Sequence, residues 1–165
     1  MLGNPRRNTK IWKDELSFEE GCDISDGFRE ISGLLERLDR FRAAVAGLDP
    51  AGVANLRLVC DEIGSNVVLH PSPTSPFHLD IEVTARQNVV RLRLQDNGGE
   101  FNPFNQAVPY LGGDLDKRRP GGLGLYLIQQ LFPMARYERL NGCNISEVEY
   151  HIGGPGQGQR KPGFD

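Results

Sequence analysis

Apolar residues recur along this chain with two periods, and the changes of period mark where its elements begin and end. In Leu56–His70, Leu56, Val59, Ile63 and Val67 repeat at helical spacing, while Glu62, Asn66 and His70, each four residues apart, form a polar stripe beside them. Upstream, Phe28, Ile31, Leu34, Leu35, Leu38, Phe41 and Val45 supply the apolar side of a helix N-capped by Ser25 or Asp26 and running through Leu48. Asp49-Pro50 then reads as an N-cap followed by proline at the first helical position, where its missing N–H costs nothing. Pro71 ends that second helix near His70.

Elsewhere the period is two. Ile11–Phe18 reads as a strand with Trp12, Leu16 and Phe18 on one face, which Asp14 shares. After the loop 71–76, Phe77, Leu79, Ile81 and Val83 alternate with His78, Asp80, Glu82 and Thr84. Beyond a turn at Gln87-Asn88, Val90, Leu92 and Leu94 alternate with Arg91, Arg93 and Gln95, so the two runs predict antiparallel strands with one wet face. One further step puts Asp96 on the buried face, where a carboxylate needs a hydrogen-bond partner or costs several kcal/mol, roughly. Residues 106–120 read as a mobile surface loop. Gly121–Gly124 opens a helix with Leu123, Leu127, Ile128 and Leu131 on its buried side, closed by Pro133. Ala135–Leu140 and Cys143–Ile152 form a hairpin about Asn141-Gly142, a strong two-residue turn signal. Strands cluster, and the helices have one sheet face to cover, which predicts an α+β two-layer sandwich spanning 11–152, with a loose arm at 1–10 and a disordered Gly/Pro-rich tail at 153–165.

At 165 residues the chain is one domain with room for a real core. Its net charge of −3 gives no electrostatic case for nucleic acid or an acidic membrane. No apolar run approaches the ~20 residues that span a bilayer, and the basic start MLGNPRRNTK lacks the apolar segment of a secretory signal. Cys22, Cys60 and Cys143, odd in number and far apart, fit free thiols in a reducing cytoplasm.

Three short segments carry chemistry. Glu62 and Asn66 present a carboxylate and an amide one turn apart, a pair suited to divalent metal and phosphate, although such pairs also occur on solvated helices. Asp96-Asn97-Gly98-Gly99 is good turn chemistry, and its acid is also an acceptor waiting for a ligand's donor. Gly121-Gly122-Leu123-Gly124 opens a helix whose unpaired N–H groups favour phosphate, without the Gly-Lys-Ser/Thr of a P-loop.

In this order, Glu62-x-x-x-Asn66, Asp96-x-Gly98-x-x-Phe101 and Gly121-Gly122-Leu123-Gly124-Leu125 resemble the ATP-binding fold shared by gyrase, histidine kinases and MutL. The short length, the continuation Phe101-Asn102-Pro103 and the final Asn-Gly hairpin look most like the anti-sigma-factor serine/threonine kinases of bacterial partner switching. The resemblance implies a mixed, mainly antiparallel sheet covered on one face by helices, with ATP and Mg²⁺ as cofactors. Asn66 would hold Mg²⁺ against the phosphates, Asp96 would accept from the exocyclic amine of adenine, and Gly98 would leave room for the ring. Phe101 and Leu123 fall in the same nucleotide-binding motifs. Residues 102–120 would form a lid, with Arg118 or Arg119 contacting the terminal phosphate or else forming a solvated charge run. Gly121, Gly122 and Gly124 would cradle the phosphates, and Glu62 would act as general base or orienting group. The sequence departs from the pattern at Pro71, where many members carry a glycine shortly after the histidine, and in lacking a second spaced glycine after Asp96.

The function implied is a serine kinase that phosphorylates an anti-anti-sigma (STAS-type) antagonist and sequesters a sigma factor or other regulatory protein, as a cytoplasmic homodimer with no nucleic acid or membrane partner. The alternative is an ATP- or ADP-binding module that acts by binding only. A detached ATPase piece of a DNA-handling machine fits neither the size nor the acidic balance.

Overall fold

A computed structural model describes residues 9–18, 24–43, 45–70, 77–107 and 122–153. The elements run β1 (Lys10–Phe18), α1 (Ile24–Arg42), α2 (Pro50–Leu69), β2 (Phe77–Arg86), β3 (Val89–Asp96), α3 (Leu123–Leu131), β4 (Arg136–Leu140) and β5 (Cys143–His151). The strands form one sheet in the order β1-β2-β3-β5-β4. Every pairing is antiparallel, so among the described residues the sheet is not mixed.

Alternation decides which face is covered. Leu79, Ile81 and Val83 of β2, Val90, Leu92 and Leu94 of β3, and Val148 and Tyr150 of β5 all point inward and are buried with the apolar stripes of the helices. The opposite face is charged: Lys13 pairs with Glu82, Arg91 with Glu149 and Arg93 with Glu147 across neighbouring strands. Asp14, on the inward side of β1, is paired by Arg37 of α1.

The N-terminus of α2 is built as the sequence predicts. Asp49 accepts a hydrogen bond from the Gly52 N–H at 2.8 Å, and Pro50 opens the helix. The Tyr150 hydroxyl donates to the same carboxylate at 2.7 Å, tying the start of α2 to β5. At the other end the His70 N–H caps the carbonyl of Asn66 at 2.9 Å.

Three expectations need correction. First, α1 ends at Arg42, not Leu48. The bonds from Ala43 N–H to Arg40 O and from Val45 N–H to Arg42 O span three residues, so the chain tightens into turns, and Gly47 takes φ +81°. Val45 and Leu48 are still buried, held by those turns. At its start the helix already includes Ile24, so Ser25 and Asp26 lie inside the first turn and not before it. Second, Phe28 is 36% exposed, because α1 approaches α2 through Gly27 and Gly64. A Cβ on Gly27 would lie 2.7 Å from Val68 and one on Gly64 2.6 Å from Ile31, and that close approach turns Phe28 outward. Third, α3 buries Leu125 and Ile128, continued by Phe132, while Leu123 and Leu127 are 52% and 42% exposed. A nine-residue helix packed against α2 has one narrow inward stripe, and those two leucines fall outside it. Of the expected arm at 1–10, Lys10 instead opens β1, and of the expected tail at 153–165, Gly153 lies in a turn; residues 1–8, the loop 71–76, residues 108–120 of the lid and the tail from 154 lie outside the described residues.

Candidate functional site

The topology brings α2, the turn after β3 and the last strand around one cavity of about 350 Å³. Ile63, Asn66, Val67 and His70 of α2 form one wall, Gly98, Gly99, Glu100, Phe101 and Pro103 the opposite one, and Asp96, Asn144 and Ser146 the sheet floor. The walls are mainly apolar and the polar groups converge at the floor, the usual composition of a small-molecule site.

Asp96 ends β3 on the inward face and is 7% exposed. One of its oxygens, Oδ1, accepts from the Gly98 N–H at 2.9 Å and from Asn144 Nδ2 at 2.8 Å. Burial raises its pKa above the usual carboxylate value, opposed by those two hydrogen bonds and the nearby Arg139 charge. The partner demanded by the alternation of β3 is therefore present, and Oδ2 remains for a ligand. Gly98 is needed here because a Cβ would stand 2.8 Å from Asp96 Oδ1, in the place its own N–H uses.

Asn66 donates from Nδ2 to the carbonyl of Glu62 one turn back, at 2.7 Å. That leaves its carbonyl oxygen as the group offered to the cavity it lines. Among the described residues no three acidic, histidine or cysteine side chains gather as a metal site. One neutral oxygen fits Mg²⁺, which keeps waters and takes its other ligands from substrate phosphates.

Glu62 faces the start of α3. A Cβ placed on Gly124 would fall within the Glu62 carboxylate itself, and 2.6 Å from its Cγ, so Gly124 is the residue that admits Glu62 there. Burial raises the Glu62 pKa, with the neighbouring Asp61 charge adding to it. Gly122 caps α3 in the left-handed region at φ 85° and makes no side-chain cap, as a glycine cannot. Leu123, the first helical residue, is half exposed. Phe101 is half-buried against the core and donates its N–H to Asn144 Oδ1 at 3.2 Å. Arg118, Arg119 and Gly121 lie outside the described residues.

A buried acid at a strand end, an amide-bearing helix opposite it and a glycine-started helix beside that one now stand in a single arrangement. Residues 28–148 match the histidine kinase-like ATPase domain. The chain belongs to that family. It is also 25% identical over 132 residues, 77% of this chain and 79% of theirs, to the serine-protein kinase RsbW of Listeria monocytogenes and to that of Listeria innocua. All three sequence motifs through Gly124 fall inside the matched ATPase domain.

This ATPase domain also contains site residues that the sequence pattern did not single out. Asn144, Tyr137 and Arg139 surround Asp96 from the final hairpin: Asn144 Oδ1 accepts from the Tyr137 hydroxyl and from Arg139 Nη1, both at 2.8 Å. The parity of β5 places Asn144 and Ser146 on the same side as Val148 and Tyr150, a signal of two buried polar residues. It gains meaning only through the pairing of Asp96 with Asn144, 48 positions apart. His70, read as a helix-end residue, both caps α2 and lines the cavity.

Proposed function

We propose that this domain is an ATP-dependent serine protein kinase that also works as a partner-switching regulator. The observation that carries the reading is the seating of the Glu62 carboxylate on Gly124, one turn from Asn66, with Asp96 at the far side of the same fold. Adenine would lie between Ile63 and Val67 on one side and Phe101 and Pro103 on the other, its exocyclic amine donating to Asp96. The phosphates would then run past Asn66 toward the α3 N-terminus. Mg²⁺ on the Asn66 oxygen and the phosphates would neutralise charge on the transferred group.

Glu62 would take the proton of an acceptor serine as its oxygen bonds to the terminal phosphorus and the bond to ADP breaks. Burial makes Glu62 a stronger base than a solvated glutamate, which suits that role. The likeness to serine-protein kinases supports serine as acceptor. The resemblance to the anti-sigma kinases supports an anti-anti-sigma-type antagonist as substrate, and a sigma factor or other regulatory protein as the sequestered target. Among the described residues no helix is long and apolar enough to cross a membrane.

The deciding experiment is a pull-down from the source cell in Mg-ATP and in ADP, with phosphosite mapping of what is retained. A partner carrying new phosphoserine, whose modification is slowed by Glu62→Gln, supports the kinase. Nucleotide-dependent retention with no phosphate on any partner would instead identify a module acting by binding alone.

A further inference from the structure

The β4–β5 hairpin does more than close the sheet. Asn144 collects three donors on its carbonyl oxygen: the Phe101 N–H at 3.2 Å, the Tyr137 hydroxyl at 2.8 Å and Arg139 Nη1 at 2.8 Å. Its amide nitrogen is thereby fixed toward two acceptors, Asp96 Oδ1 and the Gly99 carbonyl, each at 2.8 Å. Arg139 also donates to the carbonyl of Gly98 at 2.8 Å. The turn at residues 96–101 is thus bonded to the hairpin at several points, and the amide orientation of Asn144 follows from the network itself.

We propose that Asn144, held by Tyr137 and Arg139, is a specificity-determining positioning residue: it pins one oxygen of Asp96 and leaves the other as a lone acceptor, admitting a 6-amino purine and rejecting a 6-oxo purine. This rests on the nucleotide reading above. With Oδ1 already accepting from Gly98 and Asn144, the carboxylate offers Oδ2 and no proton. An exocyclic amine donates to that oxygen, whereas the carbonyl oxygen of a 6-oxo purine meets it acceptor to acceptor. Without Asn144 the carboxyl loses a charge-assisted hydrogen bond, turns more freely and takes up a proton more readily. A protonated, mobile Asp96 donates to a 6-oxo group.

The titratable groups around Asp96 are Arg139 and Tyr137 from β4, Cys143 from β5, His70 at the end of α2, Glu100 after the turn, His78 and Asp80 on β2, and Glu15 on β1. Tyr137 and Arg139 also lose an acceptor in Asn144→Ala, so the Asp96 carboxyl is followed directly and not inferred from binding alone.

The test uses the whole chain with ATP and ITP as probes, by calorimetric titration from pH 5 to 8, together with NMR titration of the Asp96 carboxyl without nucleotide. Asn144→Ala is expected to weaken ATP roughly tenfold or more, to raise the ITP-to-ATP affinity ratio increasingly as pH falls, and to move the Asp96 titration upward. An unchanged ratio with an unmoved titration in a folded Asn144→Ala would overturn the inference. Should that variant not fold, Tyr137→Phe, which removes one donor from Asn144, decides. A few-fold rise in the ITP-to-ATP ratio supports the role, and an unchanged ratio refutes it. Parent protein that binds neither ATP nor ITP would instead defeat the nucleotide reading, and the Asp96 titration, which needs no ligand, would still decide whether Asn144 holds that carboxyl.

Discussion

Replacing Gly124 by alanine separates stability from chemistry. The three atoms nearest the added Cβ all belong to Glu62: the Oε1 and Cδ of its carboxyl group, and Cγ at 2.6 Å. The backbone does not resist the change, since residue 124 is helical and lacks a positive φ. Alanine favours the helix by about 0.5–1 kcal/mol over glycine. Against this stands an overpacking cost of about 1–3 kcal/mol if Glu62 stays, or about 0.5–1.5 kcal/mol if it swings to a poorer rotamer. Glu62 is half-buried and can move outward, so the two effects nearly cancel and the urea midpoint should barely shift. The chemistry has no such compensation. A base displaced by about 1 Å costs on the order of a hundredfold, or about 2.7 kcal/mol of barrier. The assay is phosphate transfer to an anti-anti-sigma-type acceptor, with ATP affinity measured in parallel. Transfer should fall about a hundredfold while ATP affinity changes far less. The same assay on Glu62→Ala and on the double variant completes a cycle. If Gly124 acts by admitting Glu62, the double variant is no slower than Glu62→Ala alone. Multiplicative slowing would mean that alanine injures the site by another route, and the account of Gly124 would be wrong.

Other outcomes follow from the same geometry. Glu62→Gln should slow transfer yet raise Tm at pH 7. Its carboxyl holds a proton more tightly folded than unfolded, so its contribution is greatest below the ordinary 4.5 and is lost as pH rises through the folded value; thermal melts across pH 3–8 should show the variant's advantage disappearing in acid. Tyr150→Phe acts in the opposite sense. The Tyr150 hydroxyl and the Gly52 N–H hold the Asp49 pKa below its ordinary 3.8, so this contact stabilises above that value and is lost as pH falls; the variant should show a shallower loss of stability on acidification in denaturant titrations. Asp96→Asn must set an N–H either against the Gly98 N–H and Asn144 Nδ2 or into the cavity, and ATP affinity should drop on the order of a hundredfold with the circular dichroism spectrum retained.

Much of this arrangement was legible in the residues. The cap at Asp49, the proline start, the stripe Leu56–Val67, the alternation through Leu94 and the turn at Asn141-Gly142 are local signals. The two turn residues do take positive φ, 51° and 81°. Phe28, Leu123 and Leu127 were misplaced because helical period says that a residue is apolar, while the packing partner decides which edge of the stripe is covered. Gly27 and Gly64 make that decision for α1, and the one-sided contact with α2 makes it for α3. The early end of α1 is of the same kind, because Val45 and Leu48 are buried whether the chain is helical or turned.

The sequence alone determined the layers, the placement of an acid on the buried face of β3, and the order of the three motifs, because each depends on spacing within one element or one turn. Only the tertiary structure decided that Glu62 sits on Gly124, 62 positions later, and that Asn144 reaches across from β5 to Asp96. Those contacts depend on the pairing of strands distant along the chain and on how closely two helices approach, and no local period encodes either distance.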